Sequence, residues 1–344
     1  MTRTDIRIEF DQRPAAGALM DVGHGIRWLR MPLPFALNHI NLWLIPETEG
    51  VALVDTGLGD ERSLEIWSRL FDDELAETPL TRILVTHMHP DHVGCAGFLT
   101  EHSDVDLWMP REEYLLCRVL VADTGRAAPE AGIDFYRAAG YDVEALERYR
   151  RRFGHFGRYV SQLPESYRRL QDGQELLIGD ATWEVLVGRG HSPEHACLYC
   201  KDKGIIIGGD QLLPAISANV SVYPTEPTAD PLAEWMDSLA GIRERIDADA
   251  LVLPAHGRPY RGVHRRIDTL IGEHGARLEA LRAACRQPQR VVDVFPALYR
   301  RPIDDEHLMF ATGEAIAHLN YLLHRDELTV SRDDDGIDWY RACL

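Results

Sequence analysis

The stretch Thr81-Arg82-Ile83-Leu84-Val85-Thr86-His87-Met88-His89-Pro90-Asp91-His92 decides how the rest of the chain is read. Its first half is an apolar run with no turn residue, which predicts a buried strand. Its second half places three imidazoles and a carboxylate within six residues at the end of that strand. Crowded imidazoles repel when protonated and are costly to bury without partners. A divalent cation removes both objections, because neutral imidazole nitrogen and carboxylate oxygen are its natural ligands. His87 and His89, two apart, can face one ion while Asp91 and His92 swing to a second. Pro90 fixes one φ inside the loop, and a helix can begin near Gly94.

Working outward, strands and helices alternate. Ile40–Ile45 and Val51–Val54 are short runs rich in β-formers, and Asp60–Phe71 has helical spacing. Strand patterns return at 176–178, 182–187, 196–199, 205–207 and 251–253, so the body is an α/β layered fold. Residues from about 101 to 172 lack convincing strands and read as a helical insertion. From Val263 the period is again 3.6, giving a long helix to about Arg286 and another over Thr312–His324. The chain then closes with two strand-like pieces around Asp335-Gly336. The expected division is a catalytic domain over residues 1–262 and a smaller C-terminal unit over 263–344.

Four donors do not complete two metal sites, so others are expected at strand ends. His191 lies in Gly190-His-Ser-Pro-Glu-His195 after one strand, Asp210 ends Ile205-Ile-Ile-Gly-Gly-Asp, and His256 ends Leu251-Val-Leu-Pro-Ala-His. Each alone could be an ordinary buried polar residue; with the first cluster they form a ligand set. Asp55, in Val54-Asp-Thr-Gly57, is either a turn residue or support for a ligand histidine.

This pattern resembles the metallo-β-lactamase superfamily, with its αββα sandwich, over about residues 20–262. By that resemblance His87, His89 and His191 would hold one metal and Asp91, His92 and His256 the other, with Asp210 bridging. Members with a redox di-iron centre carry a glutamate where His89 stands, so the chain resembles the hydrolytic members. The implied cofactors are two divalent ions, zinc ahead of iron or manganese, sharing a hydroxide that attacks the substrate, with Asp91 and Asp210 as the catalytic carboxylates. One departure is Glu194, where thioester- and lactone-cleaving relatives usually have glycine. His195 is expected to make local hydrogen bonds rather than bind metal. The C-terminal unit resembles that of the LACTB2-like branch, which carries a winged-helix-like domain.

Composition limits the substrate. With 37 Lys and Arg against 55 Asp and Glu the net charge is −18, which disfavours a nucleic-acid grip. Residues 290–344 carry six arginines against eleven acids, or −5, so a wing there would repel phosphate. The tail is instead expected to pack or to pair in a homodimer. Ala145–Leu170 reverses the sign, with seven arginines against two acids among five aromatics. Either it is a solvated helix with aromatics turned inward, or it is a lid whose Arg150, Arg151, Arg152, His155 and Tyr159 bind an anionic carrier such as coenzyme A.

The six scattered cysteines suit a reducing compartment. Cys197 and Cys200 read as core packing. The opening residues show no apolar signal core, and no apolar run reaches membrane-span length. A cytoplasmic enzyme is therefore expected, with a small anionic molecule as partner and no membrane. Nucleophile-elbow, P-loop and dinucleotide motifs are missing. The leading expectation is a dinuclear hydrolase of thioesters or related esters of the acyl-CoA or acyl-glutathione type. A ribonuclease or phosphodiesterase with the same metals comes second, and a non-catalytic metal-binding sensor third.

Overall fold

The computed structural model describes residues 6–35 and 37–343. In chain order its strands are β1 (Arg7–Ile8), β2 (Leu19–Asp21), β3 (Arg27–Pro32), β4 (His39–Glu47), β5 (Gly50–Val54), β6 (Leu80–Leu84), β7 (Leu107–Pro110), β8 (Arg168–Leu170), β9 (Glu175–Ile178), β10 (Ala181–Gly188), β11 (His195–Cys200), β12 (Ile205–Gly209), β13 (Leu251–Pro254), β14 (Tyr260–Arg261), β15 (Leu328–Arg332) and β16 (Asp338–Ala342). They form two seven-stranded sheets and a hairpin. The helices are α1 (Glu61–Asp72), α2 (Pro90–Val93), α3 (Ala96–Ser103), α4 (Arg111–Ala122), α5 (Glu130–Ala138), α6 (Val143–Arg152), α7 (Pro231–Arg245), α8 (Val263–Ala284), α9 (Phe295–Leu298) and α10 (Leu308–Leu323).

The first sheet runs β2-β3-β4-β5-β6-β7-β8 and the second β1-β14-β13-β12-β11-β10-β9. Their inner faces meet in one apolar layer: Trp28, Trp43 and Leu84 of the first sheet pack with Trp183, Leu198 and Leu253 of the second. Strand alternation explains this, since every second side chain points to the same face. On the outer face of the first sheet, Trp67 of α1 and Leu99 of α3 bury against Leu42 and Ile83. On the outer face of the second, helices α5 to α8 and α10 cover Tyr199, Ile206 and Val252. The order of layers is helix, sheet, sheet, helix.

Two details differ from the sequence reading. The insertion is bounded by β7 and β8, which pair in parallel with each other and extend the first sheet through β6. Runs of four and three residues are too short to show a period, and their pairing comes from the neighbouring strand. The C-terminal unit has helices and a terminal hairpin, but Leu328 and Tyr340 of that hairpin are buried with Ile316 and Leu319 of α10. It folds back on its own helices, and the comparison with a winged helix goes no further than helices followed by a hairpin. The same core includes Trp235, Val252 and Ile267, so no packing boundary marks residue 262. Among the described residues, no helix is long and apolar enough to cross a membrane.

Candidate metal centre

The candidate ligands lie just beyond the C-terminal ends of β6, β10, β12 and β13, where loops from both sheets meet. Two groups form. His87, His89, His191 and Asp210 present donor atoms within 4.8 Å of one another, and Asp91, His92 and His256 do the same. Asp210 stands between the groups. One oxygen is 3.3 Å from His191 Nε2, and the other is 3.5 Å from His92 Nε2 and 3.4 Å from His256 Nε2.

The hydrogen bonds around each imidazole show what its free nitrogen can do. His191 Nδ1 donates to the Asn219 carbonyl at 2.7 Å, and His256 Nδ1 donates to the His39 carbonyl at 2.7 Å. A carbonyl can only accept, so both Nδ1 atoms carry the proton and both Nε2 atoms offer a lone pair. His92 Nδ1 lies 2.8 Å from Asp55 Oδ2, and His87 Nδ1 lies 3.0 Å from the Thr86 hydroxyl. Their Nε2 atoms also point inward. His92 Nε2 and Asp210 Oδ1 are buried without a hydrogen-bond partner, while His87 Nε2 faces His89 Nδ1 at 2.8 Å and His191 Nε2 at 3.3 Å. Lone pairs converging on one another, with His87, His92, His191 and His256 each held by an outer partner, are a donor set fitted to divalent cations.

The electrostatics agree. Burial, together with neighbouring imidazoles, pushes His87 well below the ordinary histidine value and His89 down to about 3, so both are neutral. Burial also opposes charge on His92, but Asp55, Asp91 and Asp210 outweigh it and raise its pKa. Burial pushes the Asp91 and Asp210 carboxyls up, yet the facing histidines hold both below the usual carboxylate range.

Asp55 sits at φ 61°, a left-handed conformation uncommon for a residue with a side chain. There its carboxylate also accepts the Thr86 backbone N–H at 2.8 Å, binding the end of β5 to the start of the histidine loop. Gly59 and Gly94 allow a second close approach. A Cβ on Gly59 would lie 2.6 Å from the Tyr159 carbonyl, and one on Gly94 would lie 2.3 Å from Gly59 N. Tyr159 is thereby carried to the loop that follows His92, and its ring meets exposed Phe35 edge-on at 6.4 Å.

The other insertion residues differ in their surroundings. Arg150 pairs with Glu147, Arg152 donates to the Glu306 carbonyl at 3.0 Å, and Arg151 is exposed. Tyr149 of the same helix is buried in the core, and His155 precedes the short 3-10 turn Phe156–Arg158. Glu194 turns away from the ligands: its carboxylate accepts the Glu112 N–H at 2.9 Å at the start of α4. His195 Nε2 accepts the Asp210 N–H at 3.1 Å and so fixes the backbone of the central carboxylate.

Two supports have no signature in the sequence. The buried Glu113 carboxyl accepts the Met88 N–H at 2.9 Å and the Glu194 N–H at 2.7 Å. One side chain therefore spans the loop of His87 and His89 and the loop of His191. In the sequence it is one of two adjacent glutamates at a helix start. Asn219 acts on His191 through its backbone carbonyl, which no residue pattern encodes.

Comparison with known proteins matches this geometry. The profile described as metallo-beta-lactamase superfamily matches residues 37–257, and one described as metallo-beta-lactamase-like, C-terminal domain, matches residues 278–343. A probable metallo-hydrolase of Bacillus subtilis, YqjP, is 24% identical over 320 residues, covering 88% of this chain and 93% of its own. The human acyl-coenzyme A thioesterase MBLAC2 is 27% identical over 201 residues, covering 55% of this chain and 64% of its own. A beta-lactamase domain protein from Burkholderia ambifaria superposes with a TM-score of 0.89 at 41% identity, covering 98% of both chains. The chain belongs to the metallo-beta-lactamase superfamily, and its relatives support assignment as a metallo-hydrolase.

Proposed function

We propose that the protein is a dinuclear metal-dependent hydrolase of thioesters or related esters whose leaving group is an anionic carrier. The observation that carries this reading is the pair of converging donor sets, in which Asp210 is shared and the remote nitrogens of His92, His191 and His256 are tied to carbonyl or carboxylate oxygen. In that arrangement His87, His89 and His191 would hold one ion, Asp91, His92 and His256 the other, and Asp210 both. When bound, two such ions make water acidic near neutral pH and polarise a substrate carbonyl.

The chain's own part is positioning and proton handling. Asp91 has a side chain 19% exposed, against 0% for His92 and 4% for His256, so it is the donor of its group that faces solvent. Its carboxylate would orient the incoming water and set the direction of attack. A thiolate leaving group, with a pKa near 8.5, requires little help from a general acid. This suits a site whose histidines are all engaged as donors. Exposed Phe35, Leu37 and Tyr159 supply an apolar surface beside the loops that orient His92 and His256. An apolar acyl portion fits there, and the thioesterase named among the relatives is consistent with it. Arg151, with Arg150 and Arg152, would meet the anionic part of the carrier.

The test is a side-by-side assay of acyl-CoA, acyl-glutathione and short single-stranded RNA with zinc-loaded protein. Thioester turnover that disappears in both His87→Ala and Asp210→Ala is the expected result. Efficient RNA cleavage with every thioester intact would overturn it in favour of a phosphodiesterase.

A further inference from the structure

Asp210 is followed by twenty residues, 211–230, with no helix or strand. Irregular backbone keeps a fixed position only where other groups satisfy and hold it. Here the holder is α10, in the C-terminal module. Asn219 Nδ2 donates to the Phe310 carbonyl at 3.4 Å and to Glu314 Oε2 at 3.3 Å. Val222 N donates to the Gly313 carbonyl at 3.1 Å. Asn320 Nδ2 reaches the carbonyls of Pro227 at 3.0 Å and Ala229 at 2.8 Å. The approach is close enough that a Cβ on Gly313 would lie 2.7 Å from Ser221 Oγ.

Glu314 is the centre of this contact. Its carboxyl is largely buried, with burial pushing its pKa up, and it is approached by the Tyr299 hydroxyl at 3.3 Å and Arg277 at 3.4 Å as well as by Asn219. The residue it holds, Asn219, is the one whose backbone carbonyl accepts the His191 Nδ1 proton at 2.7 Å. The remote nitrogens of the other group are tied inside the sandwich, His92 to Asp55 and His256 to His39.

We propose that Glu314 is a positioning residue for His191, acting through Asn219, so that the C-terminal module sets the metal affinity of one half of the centre. This rests on the two-site reading above, but it concerns metal binding and not the substrate. The carboxyl fixes the Asn219 side chain, the side chain fixes the carbonyl, and the carbonyl fixes the proton and plane of the imidazole. Loss of such an outer support typically weakens a metal site about 10- to 100-fold. Because the second group does not use this support, only one of two ions should respond.

The experiment is zinc competition against a chromophoric chelator, with the metal-free full chain and no substrate. Glu314→Ala should weaken one zinc equivalent by about 10- to 100-fold and leave the other as in the parent. Glu314→Gln retains an oxygen for Asn219 Nδ2 and should recover most of that loss, which a role limited to pairing with Arg277 would not allow. Asn219→Ala keeps the backbone carbonyl but removes the hook, and should repeat the effect even if Glu314→Ala does not fold. The double variant should bind no more weakly than either single one. Parental affinity for both equivalents in Asn219→Ala, or equal weakening of both, would overturn the inference. Two zinc equivalents with the expected selective loss, but no thioester cleavage, would defeat the substrate reading and leave this one standing.

Discussion

Replacing Glu113 by alanine tests whether the metal centre depends on a brace outside the ligand set. The carboxyl accepts two buried N–H groups, from Met88 at 2.9 Å and Glu194 at 2.7 Å. An unsatisfied buried donor costs about 1–3 kcal/mol, so losing both acceptors should destabilise the fold by about 2–6 kcal/mol. Glu113→Gln keeps one acceptor oxygen and turns an NH2 toward the other donor, so it should fall at about half that cost. The two loops held by this side chain carry His87, His89 and His191. Zinc affinity should therefore fall along with stability. Urea unfolding of metal-free protein gives the first quantity and chelator competition the second. A Glu113→Ala protein within about 1 kcal/mol of the parent, with unchanged zinc affinity, would refute the reasoning, because buried amide groups cannot lose their partners at no cost.

Other changes separate the remaining roles. His87→Ala and Asp210→Ala should each remove bound metal and turnover together, as measured by elemental analysis and thioester assay. Reversing Arg150, Arg151 and Arg152 to Glu should raise KM for an acyl-CoA several-fold without changing metal content; an unchanged KM would mark α6 as a packing helix only. Glu194→Gly should cost roughly 1 kcal/mol by removing an acceptor at the start of α4, and leave kcat unchanged. Burial lowers the pKa of His274 to about 2 and that of His318 to about 4. The unfolded chain protonates near 6.5, so stability is full above that pH and is lost as pH falls toward 4. The slope is up to about 1.4 kcal/mol per pH unit for each histidine. Urea midpoints at pH 7.5 and 5 should therefore converge in His274→Gln relative to the parent, and an equal drop in both proteins would disprove this contribution.

The layered fold was legible because its signals are periodic and local. β6 and the loop after it combine an apolar strand with an improbable density of donors, and α1, α8 and α10 carry clear stripes. The three dispersed donors of the centre, His191, Asp210 and His256, were readable as polar residues at the ends of apolar runs. What was hidden depends on backbone or on long-range pairing. β7 and β8 are strands only because a neighbour pairs with them, and Glu113 differs from Glu112 only in the direction it faces. Asn219 contributes a carbonyl that any residue could supply. The arginine-rich segment combines both of its readings: Tyr149 is buried and Arg150 and Arg152 have partners within the protein, while Arg151 is exposed.

The continuous apolar layer under α5 to α8 and α10 has a practical consequence for anyone wishing to study the sandwich as a fragment. A chain cut after Arg261 would keep α5 to α7 but lose α8 and α10, opening part of the apolar layer that includes Trp235, Tyr199 and Val252. Contiguous exposed surface of that kind drives self-association. Such a fragment should precipitate or be captured by chaperones, and its inactivity would say nothing about whether the tail takes part in the chemistry.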